Sequence, residues 1–342
     1  RPLDALGPSL LAGPPADTLV FAPVTATTGA LALAYVDGRG AVRAVRRVGG
    51  AWTAVEVSAA AGLALDAVAV TPVPIAGTGL ELAVLRATGE IMTVRDGATW
   101  QVANLTEITG APLAQPARPP ADSGQGALLG APVFGGSVYF AASDHLFRFS
   151  GLATGALSLV ETVHPAPGGP IGGGFDEAIV YVGPEGTALG LAGDHAVFFD
   201  NTMWGKGVIG AGAGGEQRVV YRNNSLELRV STLAGPPAPL PVAPRPSGDL
   251  EGSERPGPDP ALAVTYAASG RPVLLERHGL ATWTVTDLAV AAGAPAPGGV
   301  VVSHYDGNGD LLMAYVGADG HLHLLTRAGV SWRHADLGDA GL

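Results

Sequence analysis

The sequence predicts an all-β fold, a seven-bladed β-propeller with four antiparallel strands per blade. Three observations predict it. Apolar runs ending in Tyr recur along the chain, a Trp follows several of them at one distance, and Gly and Pro are in excess. Six of the seven tyrosines close such a run just before a turn: Tyr35, Tyr139, Tyr181, Tyr221, Tyr266 and Tyr315. The run 82–85, ending at Leu85, fills the second place. The spacings between these seven centres are 50, 54, 42, 40, 45 and 49 residues. Four strands at that period are the signature of a propeller blade.

Each element of a unit has its own signal. A short apolar segment leads, as at 18–21, 67–70 and 300–303. The Tyr run follows, then a turn such as Asp37-Gly38-Arg39-Gly40 or Gly317-Ala318-Asp319-Gly320, whose residues tolerate positive φ. A third strand comes next, as at 41–46 and 321–326, then a Gly turn, then a Trp that opens the fourth strand. Trp52, Trp283 and Trp332 each lie 17 residues after their Tyr, and Trp100 lies 15 after Leu85. Trp204 is displaced to 23 after Tyr181, and units three and five have no Trp. The middle strands are continuous apolar runs rather than alternating ones, which fits strands buried on both faces. Stretches 236–246 and 254–260 read as Pro-rich loops. The whole of 1–342 reads as one propeller domain, with 1–16 an N-terminal extension or ring-closing segment.

Composition supports this and excludes other classes. Gly (51) and Pro (28) make up 79 of 342 residues, about 23%, against roughly 12% in average usage. That excess matches the turns that some 28 strands need. Hydrophobic residues at 47% and charged ones at 14% exclude a disordered chain. No apolar run reaches the length of a membrane span. The absence of Cys excludes a disulfide scaffold, a zinc finger and a thiol nucleophile. A net charge of −11 argues against nucleic acid as a partner. No leader is visible at Arg1, so one is expected to be absent or removed, and the sequons Asn104-Leu105-Thr106 and Asn223-Asn224-Ser225 lean toward secretion.

The last unit carries the fullest pattern: Asp306-Gly307-Asn308-Gly309-Asp310 before the Tyr315 strand, Asp319-Gly320-His321-Leu322-His323 after it, and a closing Trp332 to Leu337-Gly338. It resembles blades of β-propeller lectins, both the fungal fucose-specific type and the Photorhabdus type. Units one, two and six fit more loosely, and units three to five fit in the Tyr strand alone. The resemblance implies sugar binding between adjacent blades. In the fucose-specific type it also implies an Arg two residues before the Tyr, a Glu on the next strand and an aromatic nearby. The matching positions here are Leu33, Ala83, Ser137, Ile179, Val219, Val264 and Met313. None is Arg, so the fucose triad is not carried over.

The expected ligand-binding residues are Trp52, Trp100, Trp283 and Trp332, because sugars stack their C–H faces on indole rings; the competing role for each is packing against the neighbouring blade. An alternative is a propeller enzyme, a polysaccharide lyase or hydrolase, with His304, Tyr305, Asp306, His145 and His195 at one rim. A protein-interaction scaffold is the third reading. No cofactor is expected, although Asp306, Asn308 and Asp310 alternate as oxygen ligands for Ca²⁺ would. His321 and His323 face one side of a strand and offer half a metal site without an evident third ligand. Gly210-Ala211-Gly212-Ala213-Gly214-Gly215 matches GxGxxG, but a strand follows where a phosphate site needs a helix. The expected partners are glycans or a small molecule, and the expected location is secreted or extracellular.

Overall fold

A computed structural model describes residues 19–23, 31–48, 51–73, 79–114, 137–143, 145–152, 156–165, 171–173, 179–182, 188–192, 195–200, 203–211, 217–232, 237–240, 243–255, 260–279, 282–306 and 308–338. The expected ring-closing segment 1–16 lies outside them.

The described strands form seven antiparallel sheets, each built from consecutive strands. The first holds Val20–Pro23, Leu31–Val36, Val42–Val48 and Ala51–Glu56; the second Ala67–Pro72, Glu81–Arg86, Ile91–Arg95 and Gln101–Asn104. The third has three strands, Val138–Ala142, His145–Ser150 and Ser158–Pro165. The fourth runs from Ile171–Gly173 to His195–Asp200, and the fifth from Met203–Ala211 to Ala238–Pro239. The sixth holds Glu251–Arg255, Ala261–Ala268, Arg271–His278 and Thr284–Asp287. The seventh holds Pro297–Tyr305, Leu311–Gly317, Leu322–Ala328 and Ser331–Asp336. The expectation of seven four-stranded blades is therefore corrected to six. The third sheet lacks a described strand before its Tyr139 strand, where 115–136 lie outside the described residues.

Packing arranges the sheets as a propeller. An apolar cluster lies between each sheet and the next, and another joins the seventh to the first. Phe21, Leu33 and Tyr35 meet Val300, Val302 and Leu312 across that last junction. Ala32, Ala34 and Val36, on the opposite face of the same strand, meet Leu80, Leu82 and Val84 of the second sheet. Both faces of a middle strand are thus buried, which is why these strands are apolar without alternation. All six tyrosines that centre a unit are buried. Tyr35, Tyr181, Tyr221, Tyr266 and Tyr315 lie in the cluster shared with the preceding sheet. Leu85 and Tyr139 instead face the following sheet, and Val84 and Phe140 face the preceding one. A one-residue shift along a strand swaps its faces.

The turns explain the glycines. In the first sheet the Asp37 carboxylate accepts the N–H groups of Arg39 (2.9 Å) and Ala41 (3.0 Å). Gly40 follows with φ +78°, and a Cβ there would stand 2.8 Å from the Leu65 carbonyl oxygen. Its own carbonyl accepts the N–H of Ala67 and so ties this hairpin to the start of the second sheet.

Three one-turn helices, Val57–Ala61, Leu105–Thr109 and Leu288–Ala292, follow the fourth strands of sheets one, two and six. The sequence reading missed them. Asn104 and Asp287 cap two of them, accepting from the N–H of Glu107 (3.1 Å) and Val290 (3.3 Å). Both sequon asparagines serve such local structure. Asn104 also donates to Glu90, and Asn223 accepts from the N–H of Ser225 and Glu227. No described helix is long and apolar enough to cross a membrane.

Candidate functional site

The hairpin joining the third and fourth strands places an Arg beside a Trp. Arg47 is in register with Trp52, and Arg327 with Trp332. The Arg327 guanidinium lies 5.6 Å from the Trp332 ring, and Arg277 lies 5.9 Å from that of Trp283. Arg46 reaches across to the second sheet, 5.1 Å from Trp100 and in an ion pair with Asp96. Each of the four indoles is half-buried against the cluster shared with the preceding sheet. A guanidinium above an indole face is a cation–π contact that leaves N–H groups to bond a ligand.

Between the sixth and seventh sheets this arrangement opens into a cleft of about 420 Å³. Arg255 and His278 line it from the sixth sheet; Gly309, Arg327, Val330 and Trp332 line it from the seventh. Glu276 holds two of the lining side chains, Arg327 and His278. Its carboxylate accepts two bonds from Arg327, at 2.5 and 2.6 Å, and a short one from the Tyr305 hydroxyl. The His278 imidazole lies 3.2 Å from Glu276, and its other ring nitrogen lies 3.4 Å from Arg255. Arg255 in turn stands 5.7 Å from the Tyr305 ring.

The electrostatics follow from burial and pairing. Burial by itself raises the Glu276 carboxyl, but the hydrogen bonds of Arg327 and Tyr305 and the nearby positive charges outweigh it and hold the group below its ordinary value. The hydrogen bond to Glu276 raises Arg327 further. Burial, then the Glu276 charge, pushes the Tyr305 phenol far above its usual range. Tyr305 therefore stays protonated and donates; it is no base at neutral pH. The cleft thus presents a stacking surface and cationic hydrogen-bond donors.

The other expected site residues are scattered. His304 neighbours Tyr305 but faces the opposite way, 5.9 Å from Phe21 of the first sheet. Burial lowers its imidazole to about 4, so it is neutral at physiological pH. His145 opens the second strand of the third sheet, 3.5 Å from Glu161. His195 opens the last strand of the fourth sheet, and its side chain lies outside the described residues. His145 and His304 thus sit in different sheets and at opposite hairpin ends, and the fold does not gather them. Asp306 caps its own turn, accepting from the N–H of Asn308 and Asp310 at 2.9 Å each. Trp204 lies in the first strand of the fifth sheet rather than in a closing strand of the fourth. The positions two before each centre, Leu33, Ala83, Ser137, Ile179, Val219, Val264 and Met313, are all buried, so none faces a ligand.

Sequence reading missed Arg255, Glu276, His278 and Arg327. One signal pointed to the pair: an Arg five residues before Trp52, Trp100 and Trp332. Nothing local marked Glu276, because Arg327 lies 51 residues away.

No protein-family model matches the chain, and no curated protein matches it in sequence. Solved structures do match in fold. The fungal lectin of Aleuria aurantia, described as a six-bladed β-propeller, aligns with a TM-score of 0.55 at 15% identity, over 95% of this chain and 96% of that one. The BP39L lectin of Burkholderia pseudomallei aligns with a TM-score of 0.56 at 14% identity, over 93% and 98%. BBS1N, solved in complex with ARL6DN, aligns with a TM-score of 0.57 at 15% identity, over 92% and 93%. Identities this low establish a shared fold alone.

Proposed function

We propose that the protein is a carbohydrate-binding, lectin-like propeller whose ligands seat between neighbouring sheets against Arg–Trp pairs. One observation carries the reading: the cleft between the sixth and seventh sheets combines Trp332 with the guanidinium donors of Arg255 and Arg327, and His278 lines its wall. Sugars present apolar C–H faces for an indole and hydroxyls for such donors. The fold supports the reading, since structures of similar shape include a fucose-specific lectin of Aleuria aurantia. Arg47–Trp52 and Arg277–Trp283 repeat the pair at two other junctions, which makes the pockets multiple in this proposal. The reading takes residues 1–342 as one propeller domain. The partners are glycans, with an extracellular location, and no catalytic group is invoked.

A glycan array with the wild-type chain and the Trp332→Ala variant tests this. The wild type should bind a coherent class of glycans. Trp332→Ala should lower that signal by up to about tenfold, about the loss of one good stacking contact, with the circular dichroism unchanged. A flat array, or binding that Trp332→Ala, Trp283→Ala and Trp52→Ala all leave intact, overturns the proposal.

A further inference from the structure

At the other hairpin end of the seventh sheet, away from the cleft, three histidines and two aspartates converge. Asp319 sits in the turn between the second and third strands, His323 on the third strand and Asp336 on the fourth, in register with His323. One donor atom from each of Asp319, His323 and Asp336 lies within 4.8 Å of the others. His323 Nε2 is 3.1 and 3.2 Å from the two Asp319 oxygens. A tetrahedral zinc ion with bonds of about 2.0–2.1 Å sets its ligand atoms roughly 3.3 Å apart. The His323–Asp319 spacing matches this, and Asp336 closes the set by moving in by no more than about 1.5 Å.

The surroundings are built for it. His323, 2% exposed, has its Nδ1 3.0 Å from Nε2 of His334. When His323 Nδ1–H donates there, Nε2 is left with its lone pair toward the aspartates. Asp319 accepts the His321 N–H (3.1 Å) and Asp336 accepts the Gly338 N–H (2.9 Å), so both carboxylates are oriented from behind. His321 Nδ1, 2.9 Å from Asp336, stands ready as a further ligand. Outer partners of this kind fix a ligand's tautomer and direction.

An independent observation concerns space. A Cβ at Gly317 would stand 2.2 Å from an Asp319 oxygen and 2.6 Å from His323 Nε2. A Cβ at Gly338 would stand 2.8 Å from Cβ of His321. Gly317 therefore leaves Asp319 and His323 Nε2 the space in which they meet, and Gly338 lets the closing strand's end lie against His321.

We propose that Asp319, His323 and Asp336, with His321 at the rim and His334 as a positioning residue, form a site for a divalent transition metal of the zinc type. Imidazole nitrogen with two carboxylates suits zinc, cobalt or nickel, whereas calcium takes oxygen ligands throughout. The proposal is independent of the sugar cleft.

The test is calorimetric titration of the tag-free full chain with Zn²⁺, with Ca²⁺ as control. One zinc should bind per chain, and calcium should not compete. His323→Gln and Asp319→Asn should each weaken zinc at least tenfold. His334→Ala should weaken it about 10–100-fold and should shift the visible absorption of the Co²⁺-loaded chain, which a purely structural role would leave alone. Should His323→Gln fail to fold, Asp319→Asn carries the test, since Asn preserves the turn. Absence of saturable zinc binding, or binding that Asp319→Asn leaves unchanged, overturns the site and leaves a hydrogen-bonded network.

Discussion

Replacing Arg327 with Met keeps most of the side chain's length and removes its charge, leaving Glu276 buried without its main partner. The two side chains are 16% and 6% exposed, so solvent screens the pair little. Two charge-assisted bonds are lost, each worth about 1.5–3 kcal/mol, and breaking a buried ion pair costs about 3–5 kcal/mol. We expect a loss of about 3 kcal/mol at pH 7. Unfolding entropy of about 2.1 cal/mol/K per residue over 342 residues turns this into a Tm drop of about 4 °C. The pH dependence has a definite sign. In the wild type the Glu276 carboxyl is depressed, so its contribution is present above the ordinary carboxyl range and is lost as pH falls through its folded value. Without Arg327, burial dominates and raises the group, so protonation stabilises the variant. The gap between the two proteins should therefore be widest near pH 7 and shrink toward pH 4. Urea unfolding at both pH values, with Glu276→Gln completing a double-mutant cycle, reads this directly. A loss under about 1 kcal/mol, or one equal at both pH values, refutes the assignment of Glu276–Arg327 as a buried, coupled pair.

Three further outcomes follow from the same structure. His304 is neutral when folded, with its imidazole lowered to about 4 from 6.5; the unfolded chain therefore takes up a proton first as pH falls through that window, and His304→Phe should move acid unfolding to lower pH, as read by circular dichroism. Asn104→Ala removes a helix cap and the bond to Glu90, and should cost about 1 kcal/mol in urea unfolding. Gly317→Ala should crowd Asp319 and His323 and weaken zinc, whereas Gly320→Ala, with φ +83° and no atom within 4 Å, should cost only backbone strain of about 1–2 kcal/mol and leave zinc affinity intact.

The repeat was legible because burial enforces it. Tyr35, Tyr266 and Tyr315 sit at equivalent depths between sheets, and hairpin register carries Trp52 and Trp332 back to the same junction. Where the buried position holds Val84 or Phe140, the aromatic marker moves by one residue and the reading follows the wrong face. The one-turn helices are too short to show a period, and the caps Asn104 and Asp287 are evident only once the structure places them. The cleft was half legible. Trp332 and Tyr305 stood out by type, yet Arg255 and Glu276 reach them from another sheet, a contact that ring packing creates and that local spacing does not record. The metal cluster is half legible: Asp319 lies only four residues before His323 and reads as a turn residue, whereas Asp336 is 13 residues beyond His323 and joins it only through strand pairing.

The most direct measurement of the sugar-binding account is a crystal structure of the chain with the glycan its array selects. The account requires that sugar in the cleft between the sixth and seventh sheets, its ring stacked on Trp332 and its hydroxyls within hydrogen-bond reach of Arg255 and His278. Sugar bound only at the opposite hairpin end, or an empty cleft at saturating glycan, would contradict it.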